Sequence, residues 1–440
     1  MFTLLSCGSN AQGQLANGTV EDSHVFQPCS FFGCAPNTMP VDTNQVLNIT
    51  SGANHTVVLL EMRRQSGKLE TQLWGSGDES AGQLGAVDHR FIHSGEKSTI
   101  FRPIELSLEQ DGLLGYQPKL VAASWEATYV TLSCDGRRDV LISMGSNDFG
   151  DLGVGMISEE KKTRLFHIVS FDHLALDGNS LNNASIKILS LVTGQRHVVV
   201  QLEVAWRSNS LRKCLVGWGT SRHSQLGKVI DQRGRSIPYI SAPCIISVED
   251  DEDPIVTTAL GSQHTVLLRA SGGILGFGSN RKNQLQGLGD VEHATKIGCT
   301  WNGTYALVEG ENGTEHILAT GSAAHGQLGR QIPSGVIPSV APVELFMSKT
   351  TRIRALACGT EHVLALLFRS AENGNFSEVW GWGWNEHGNL GVGTTENAFT
   401  PIQLWPPLAS GLEREKNHFS IGIWAGSGTS WILTSTGNTQ

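Results

Sequence analysis

An all-β, seven-bladed propeller is the fold this sequence predicts, and three observations predict it. A glycine-turn motif recurs seven times along the 440 residues. A second motif, a small-residue entry followed by β-branched and apolar residues, alternates with it seven times. Nothing between them carries the apolar period of a helix. Self-similarity outranks the length prior of about 150 residues per domain, so one repeat domain is expected rather than three unrelated ones.

The turn motif is clearest in Trp382-Gly383-Trp384-Asn385-Glu386-His387-Gly388-Asn389-Leu390-Gly391, with copies starting at Gly8, Trp74, Met144, Trp218, Phe277 and Thr320. A short apolar segment such as Val216–Trp218 or Ile274–Phe277 reads as a strand. It stops at Gly, Ser-Asn then favours a turn through local side-chain hydrogen bonds, and the Leu of Gln-Leu returns to the core. The second motif gives a buried strand in Ser51–Leu59, Thr193–Val200, Leu260–Leu267 and Cys358–Ala365. Three variants depart from it: Ser124-Trp125-Glu126-Ala127-Thr128-Tyr129-Val130, Thr300-Trp301-Asn302-Gly303-Thr304-Tyr305-Ala306 and Gly426–Ile432.

Proline-led segments lie between the two motifs, as in Pro103–Leu106, Pro342–Leu345 and Pro401–Leu404, with Pro28 and Pro243 similarly placed. Proline has no amide donor, so this piece is expected at the outer edge of each sheet. Between Leu285 and Trp301 there is too little chain for it, and the fifth repeat is expected to be abbreviated. Mostly four-stranded sheets of this kind suit a radial ring, which protects their edges. The repeats run approximately over 1–60, 70–133, 138–203, 212–270, 272–309, 314–368 and 377–434. Pairing of the Met1–Cys7 strand with the C-terminal Trp424–Leu433 strand would close the ring in one mixed blade.

Composition narrows the function. A net charge of −9 and a pI near 5.9 do not favour nucleic acid as a direct partner. The N-terminal run is too short and lacks the basic flank of a signal peptide, and no apolar run approaches the roughly 18 residues of a membrane span. A soluble chain in the cytoplasm or nucleus is expected. The eight Cys are scattered, and the Cys29/Cys34 spacing has no matching second half, so no metal is expected. Residues 61–70 read as a charged hairpin tip, 172–183 and 231–238 as polar loops, and 249–254 as an acidic run with a solvated face.

The repeated His55, His197, His264 and His362 tempt a catalytic reading, yet their equivalent places in successive repeats make them architectural. GxG pairs abound, none followed by a third Gly on schedule or by a helix, and no GxxxxGK[ST], HExxH or GxSxG occurs. No catalytic, cofactor or metal residue is assigned, and no cofactor is expected. The Trp variants are more informative, because an indole at an inner-strand start can anchor a partner. The candidate partner-binding residues are Trp125, Glu126, Trp301, Asn302, Trp384, His387 and Trp424.

Paired GSNxxGQLG and GxxHTxxL motifs over the whole chain resemble the regulator of chromosome condensation family of seven-bladed propellers. The resemblance implies two functions. Exchange factors of the family act on the small GTPase Ran and carry an acidic residue before the His of a GxDH motif. That position here holds Asn54, Arg196, Gln263 and Glu361. Tail-free acidic members, the small fungal alpha-tubulin-suppressor-type proteins, resemble the chain in organisation. They partner a small zinc-ribbon electron carrier that serves diphthamide synthesis and Elongator-dependent tRNA wobble-uridine modification. A non-catalytic scaffold, monomeric or in a heterodimer, is the expectation, with a nucleotide exchange factor for a small GTPase as the alternative.

Overall fold

The computed structural model describes residues 2–85, 98–155, 165–206, 210–231, 233–310, 313–333, 335–370, 376–407 and 418–436. Seven antiparallel sheets follow one another: blade 1 (43–103), blade 2 (117–169), blade 3 (185–248), blade 4 (255–278), blade 5 (294–342), blade 6 (351–405) and blade 7 (418–436 with 2–28). Their innermost strands touch in cyclic order, and that of blade 7 returns to that of blade 1. The ring closes as the sequence predicts. Phe2–Gly8 pairs antiparallel with Thr429–Thr436, from Phe2 opposite Ser435 to Gly8 opposite Thr429. Met1, counted in that strand above, lies outside the described residues.

Blades and sequence repeats are out of phase by half a blade. Leu69–Gly77 and Ser98–Pro103 form the outer half of blade 1, whereas the next strands along, Gln117–Ala123 and Ala127–Ser133, form the inner half of blade 2. A turn motif and the second motif that follows it therefore belong to different blades, so the chain itself ties neighbours together. The apolar core is correspondingly shared. One cluster joins Tyr305 and Leu307 of blade 5 to Leu364, Trp382 and Leu390 of blade 6.

The expected abbreviation falls on blade 4, which has three strands. A short 3-10 turn at Leu288–Asp290 stands where an outer strand would run, and it buries Leu288 and Val291 against the blade. The prolines of these segments occupy outermost strands, as their missing donor favours. They do not lead them, however: Pro28, Pro103 and Pro342 end their strands, and Pro243 and Pro401 lie inside theirs.

Two insertions depart from the polar-decoration reading. Residues 172–183 hold a hairpin, Ala175–Leu176 against Asn179–Ser180, whose Leu174, Leu176 and Leu181 are buried in the blade 2–3 core. Asp177 and Gly178 reverse the chain with positive φ, which turns those leucines inward. The acidic run 249–254 is partly internal. Buried Glu249 accepts from Gln201 Nε2 at 2.6 Å, Asp251 pairs with Arg212, and Asp253 accepts from Ser271. The 61–70 tip is an exposed hairpin with Arg64 and Lys68 on Glu70. In the 231–238 loop, whose residue 232 lies outside the described residues, Asp231 accepts from the backbone of Arg233 and Arg235.

Candidate functional site: the aromatic mouth of the ring

Both motifs end their strands on one face of the ring, and their polar side chains build that face. In the turns, the Asn carbonyl oxygen accepts the amide of the returning Leu: Asn10 from Leu15, Asn280 from Leu285, Asn385 from Leu390. The Gln side chain accepts the amide two residues before it, as Gln83 does from Ala81 and Gln327 from His325. Local side-chain bonds thus hold each turn open without a helix or sheet partner.

The repeated histidines tie blades together. His55, His197, His264 and His362 are fully buried, and each Nε2 meets a hydroxyl of the following blade: Thr128 at 2.9 Å, Thr265 at 3.4 Å, Thr304 at 3.1 Å and Ser430 at 3.0 Å. Three of those hydroxyls donate onward to a turn carbonyl, Thr265 to Gln225, Thr304 to Gln284 and Ser430 to Asn389. A hydroxyl that donates its proton there must accept from the imidazole, so the Nε2–H tautomer is assigned. Burial holds His55, His264 and His362 neutral, with pKa values pushed down to about 4, and His197 down to about 3. Each ring leaves room only for glycine three residues earlier. A Cβ on Gly359 would meet His362 Cε1 at 2.3 Å, and one on Gly52 would meet His55 Cε1 at 2.2 Å.

Blades 2 and 5 replace this device. Ala127 and Gly303 stand in the histidine position, Ser124 and Thr300 in the glycine position, and Tyr129 and Tyr305 two residues on. Tyr129 Oη and Trp218 Nε1 both donate to the Asp151 carbonyl, at 2.8 and 2.7 Å. Tyr305 Oη and Trp382 Nε1 donate to the Gln327 carbonyl, at 2.8 and 2.9 Å. The following blades, which receive no imidazole, have Val198 and Val363 where Thr or Ser is otherwise found. These coupled exchanges were readable as covarying positions between repeats, a signal that comparing one motif at a time does not reveal.

The same two blades bring Trp125 and Trp301 into contact over the axis, with ring centroids 5.6 Å apart and the ring planes tilted at 42°. Backbone bonds hold both: Trp125 N–H donates to Gln195 O and Trp301 N–H to Thr360 O, while Ala53 and Ser262 donate to the two Trp carbonyls. Below the pair lies an axial channel of about 270 Å³, lined by inner-strand residues such as Thr50, Thr193 and Cys299. Above it opens a basin of about 470 Å³, to which Trp384, Glu361, Glu386, His325 and His387 contribute. Trp384 meets His387 edge-to-face at 5.2 Å, and His387 Nδ1 lies 2.7 Å from Asp22 Oδ2.

Of the sequence-predicted residues, Trp125, Trp301, Trp384 and His387 come together in the basin. Asn302 supports it by donating to Glu361 Oε1. Glu126 stands at the same rim, 3.7 Å from Arg196. Trp424 does not join them. It packs among Leu4, Val46 and Trp431 in the core between blades 7 and 1, because strand alternation turns it away from the channel that Ala425 lines. Glu361, Glu386 and His325 were missed as site residues, since nothing in a lone sequence says which turn tips converge. Glu361 is largely buried, and desolvation raises its carboxyl above the usual range despite bonds from Gln327 and Asn302. Among the described residues no group of three or more His, Cys, Asp or Glu is placed to hold a metal, and no helix is long and apolar enough to cross a membrane. Cys29 is buried, its thiol pushed up to about 12, and donates to Leu15 O.

Comparison with known proteins fits this geometry. A model of the regulator of chromosome condensation (RCC1) repeat matches residues 377–424. The chain is 26% identical to the secretion-regulating guanine nucleotide exchange factor of Bos taurus, over 98% of its own length and 82% of the relative's. It is also 26% identical to the ultraviolet-B receptor UVR8 of Arabidopsis thaliana, covering 97% and 83%. Among solved structures, human WBSCR16 superposes with a TM-score of 0.64 at 18% identity, covering 99% of each chain. Prp20p of Saccharomyces cerevisiae, described with its binding to Gsp1p and histones, gives 0.66 at 15% identity, covering 100% of this chain and 92% of that one.

Proposed function

We propose, from the premise that this is a seven-bladed propeller of RCC1-type repeats, that the chain is a non-catalytic scaffold docking a partner protein on its aromatic mouth. The observation that carries the proposal is the Trp125–Trp301 pair, half-buried over the axis with Trp384 beside it. Three indoles gathered at one opening form the desolvated, low-entropy anchor on which interface energy concentrates. The buried histidines are committed to blade joints and are neutral, which suits structure rather than proton transfer. Within this reading the partner is a small zinc-ribbon electron carrier, and the setting is diphthamide synthesis and Elongator-dependent tRNA modification in the cytoplasm or nucleus. Support for that setting is the acidic composition and the repeat organisation alone. The test is affinity purification of the tagged chain. Trp125→Ala or Trp301→Ala should reduce recovery of a stoichiometric small partner by about tenfold or more. Equal recovery from both variants and the parent chain would overturn the docking site.

Nucleotide exchange on a small GTPase is the second reading. One observation favours it: Glu361 precedes His362 inside the mouth, where exchange factors of this resemblance carry an acidic residue. Relatives named for exchange activity point the same way. Release of labelled GDP from a panel of purified small GTPases checks it, and flat kinetics across the panel would remove it.

A further inference from the structure

Resting on the docking reading, we infer that the basin above Trp125 and Trp301 is a receptor for an arginine side chain presented by the partner protein. Trp125, Trp301 and Trp384 line one cavity of about 470 Å³ with their indoles, and Glu361 and Glu386 add carboxylates to the same wall. A guanidinium is planar, stacks on indole, and forks two N–H donors onto a carboxylate, so this combination of groups suits arginine better than a compact ammonium. Glu386 is exposed, and one of its oxygens accepts from Trp384 Nε1 at 3.2 Å, which fixes the carboxylate beside the indole. Glu361 is held further in by Gln327 and Asn302. The neighbouring imidazole and ammonium groups are also defined. His387 is matched by Asp22, while His325 and Lys282 act on Glu361 from blades 5 and 4.

Polarity around the mouth agrees. The corresponding place across the axis holds Arg196, which is not part of the basin wall and lies 3.7 Å from Glu126 and 3.8 Å from Asp151. An entering guanidinium therefore meets carboxylates on the Glu361 side, while the positive group opposite is already matched by two acids.

The experiment immobilises a short peptide carrying two arginines, and a second peptide with citrulline in their place, and measures retention of the full chain. Citrulline keeps the planar shape and loses the charge. Retention on the arginine peptide should exceed that on citrulline by about tenfold. Glu386→Gln and Trp384→Ala should each abolish most of that difference, with melting curves confirming that both variants fold. Glu70→Gln, a carboxylate on the distant hairpin, should leave it unchanged. Equal retention of the two peptides, absence of retention, or an equal loss from Glu70→Gln would overturn the inference. Failure of the docking reading looks different. A cellular partner captured through Trp125 and Trp301 yet indifferent to Glu386→Gln keeps the docking site and removes only the arginine.

Discussion

The joint between blades 2 and 3 and the joint between blades 5 and 6 share one aromatic frame and differ in charge. In each, a Tyr and a Trp converge on one backbone carbonyl, with ring centroids 6.1 Å apart for Tyr129–Trp218 and 6.5 Å for Tyr305–Trp382. A glycine lies under each indole: a Cβ on Gly153 would fall 2.7 Å from Trp218, and one on Gly329 3.0 Å from Trp382. Above this frame the chemistry inverts. Arg196 faces Glu126 and Asp151 at one joint, whereas Glu361 takes hydrogen bonds from Asn302 and Gln327 at the other. The comparison separates two jobs. What is repeated holds blades together, and what is exchanged gives the mouth its direction, with the acidic half open to the basin.

The largest test of that division strikes the shared frame. Trp218→Ala and Trp382→Ala should each cost about 3–5 kcal/mol of stability, and by similar amounts, because both remove a fully buried indole. Denaturant unfolding measures it; a variant that unfolds at the parent's midpoint would show that the frames are not equivalent.

Acid should strike the four histidine joints harder than these two. The four joint histidines have folded pKa values pushed down to about 3 to 4, below the value of about 6.5 in the unfolded chain. Their contribution is therefore complete above the unfolded value. It is lost as pH falls toward the folded one, by about 3–5 kcal/mol for each histidine. The two aromatic joints contain no such group. His362→Gln should accordingly flatten the fall in melting temperature between pH 6.5 and 4.5, and an unaltered profile would remove His362 from the acid response.

Charge inversion predicts a smaller, opposite effect. Burial raises the Asp151 carboxyl to about 6, and its Oδ1 has no hydrogen-bond partner. An acid whose folded pKa exceeds its unfolded value weakens the fold above that folded pKa, and the weakness fades as pH falls through it. Asp151→Asn should then stabilise the chain by about 1–3 kcal/mol at pH 7.5, by roughly half as much at pH 5 and by little below about pH 4, the unfolded value. A destabilised variant at pH 7.5 would mean that the Arg196 pair outweighs the desolvation. Smallest of all, Tyr129→Phe and Tyr305→Phe should each cost about 1 kcal/mol for the lost bond to carbonyl, again alike at the two joints. Paired unfolding curves settle that equality.

Much of this was legible in the residues themselves. The two alternating motifs announce the ring, the shortened stretch after Leu285 announces the three-stranded blade, and the kind of strand at each end announces closure. The site was legible in part. Trp125 and Trp301 declare themselves by replacing ordinary residues in a repeat, but Glu361 and Glu386 look like surface charge until seven turns are brought to one face. Trp424 misleads for a related reason: its aromatic character is visible in the sequence, and the direction it points is not.

Local chemistry therefore determined what each repeat can be. Glycine at positive φ, Asn and Gln satisfying turn amides, proline on an edge and β-branched runs in buried strands act over a few residues, and a few residues are enough to read them. Closing the ring decided the remainder. Only there does each histidine find a hydroxyl in the next blade, does a carbonyl gather Tyr and Trp from different blades, and do two indoles from nonadjacent blades meet over the axis. Contacts of that kind join residues 40 or more apart in the chain, as between His197 and Thr265, Gln327 and Trp382 or His264 and Thr304, where |i−j| is 68, 55 and 40. Such separations carry no local signature, so three-dimensional closure alone sets them.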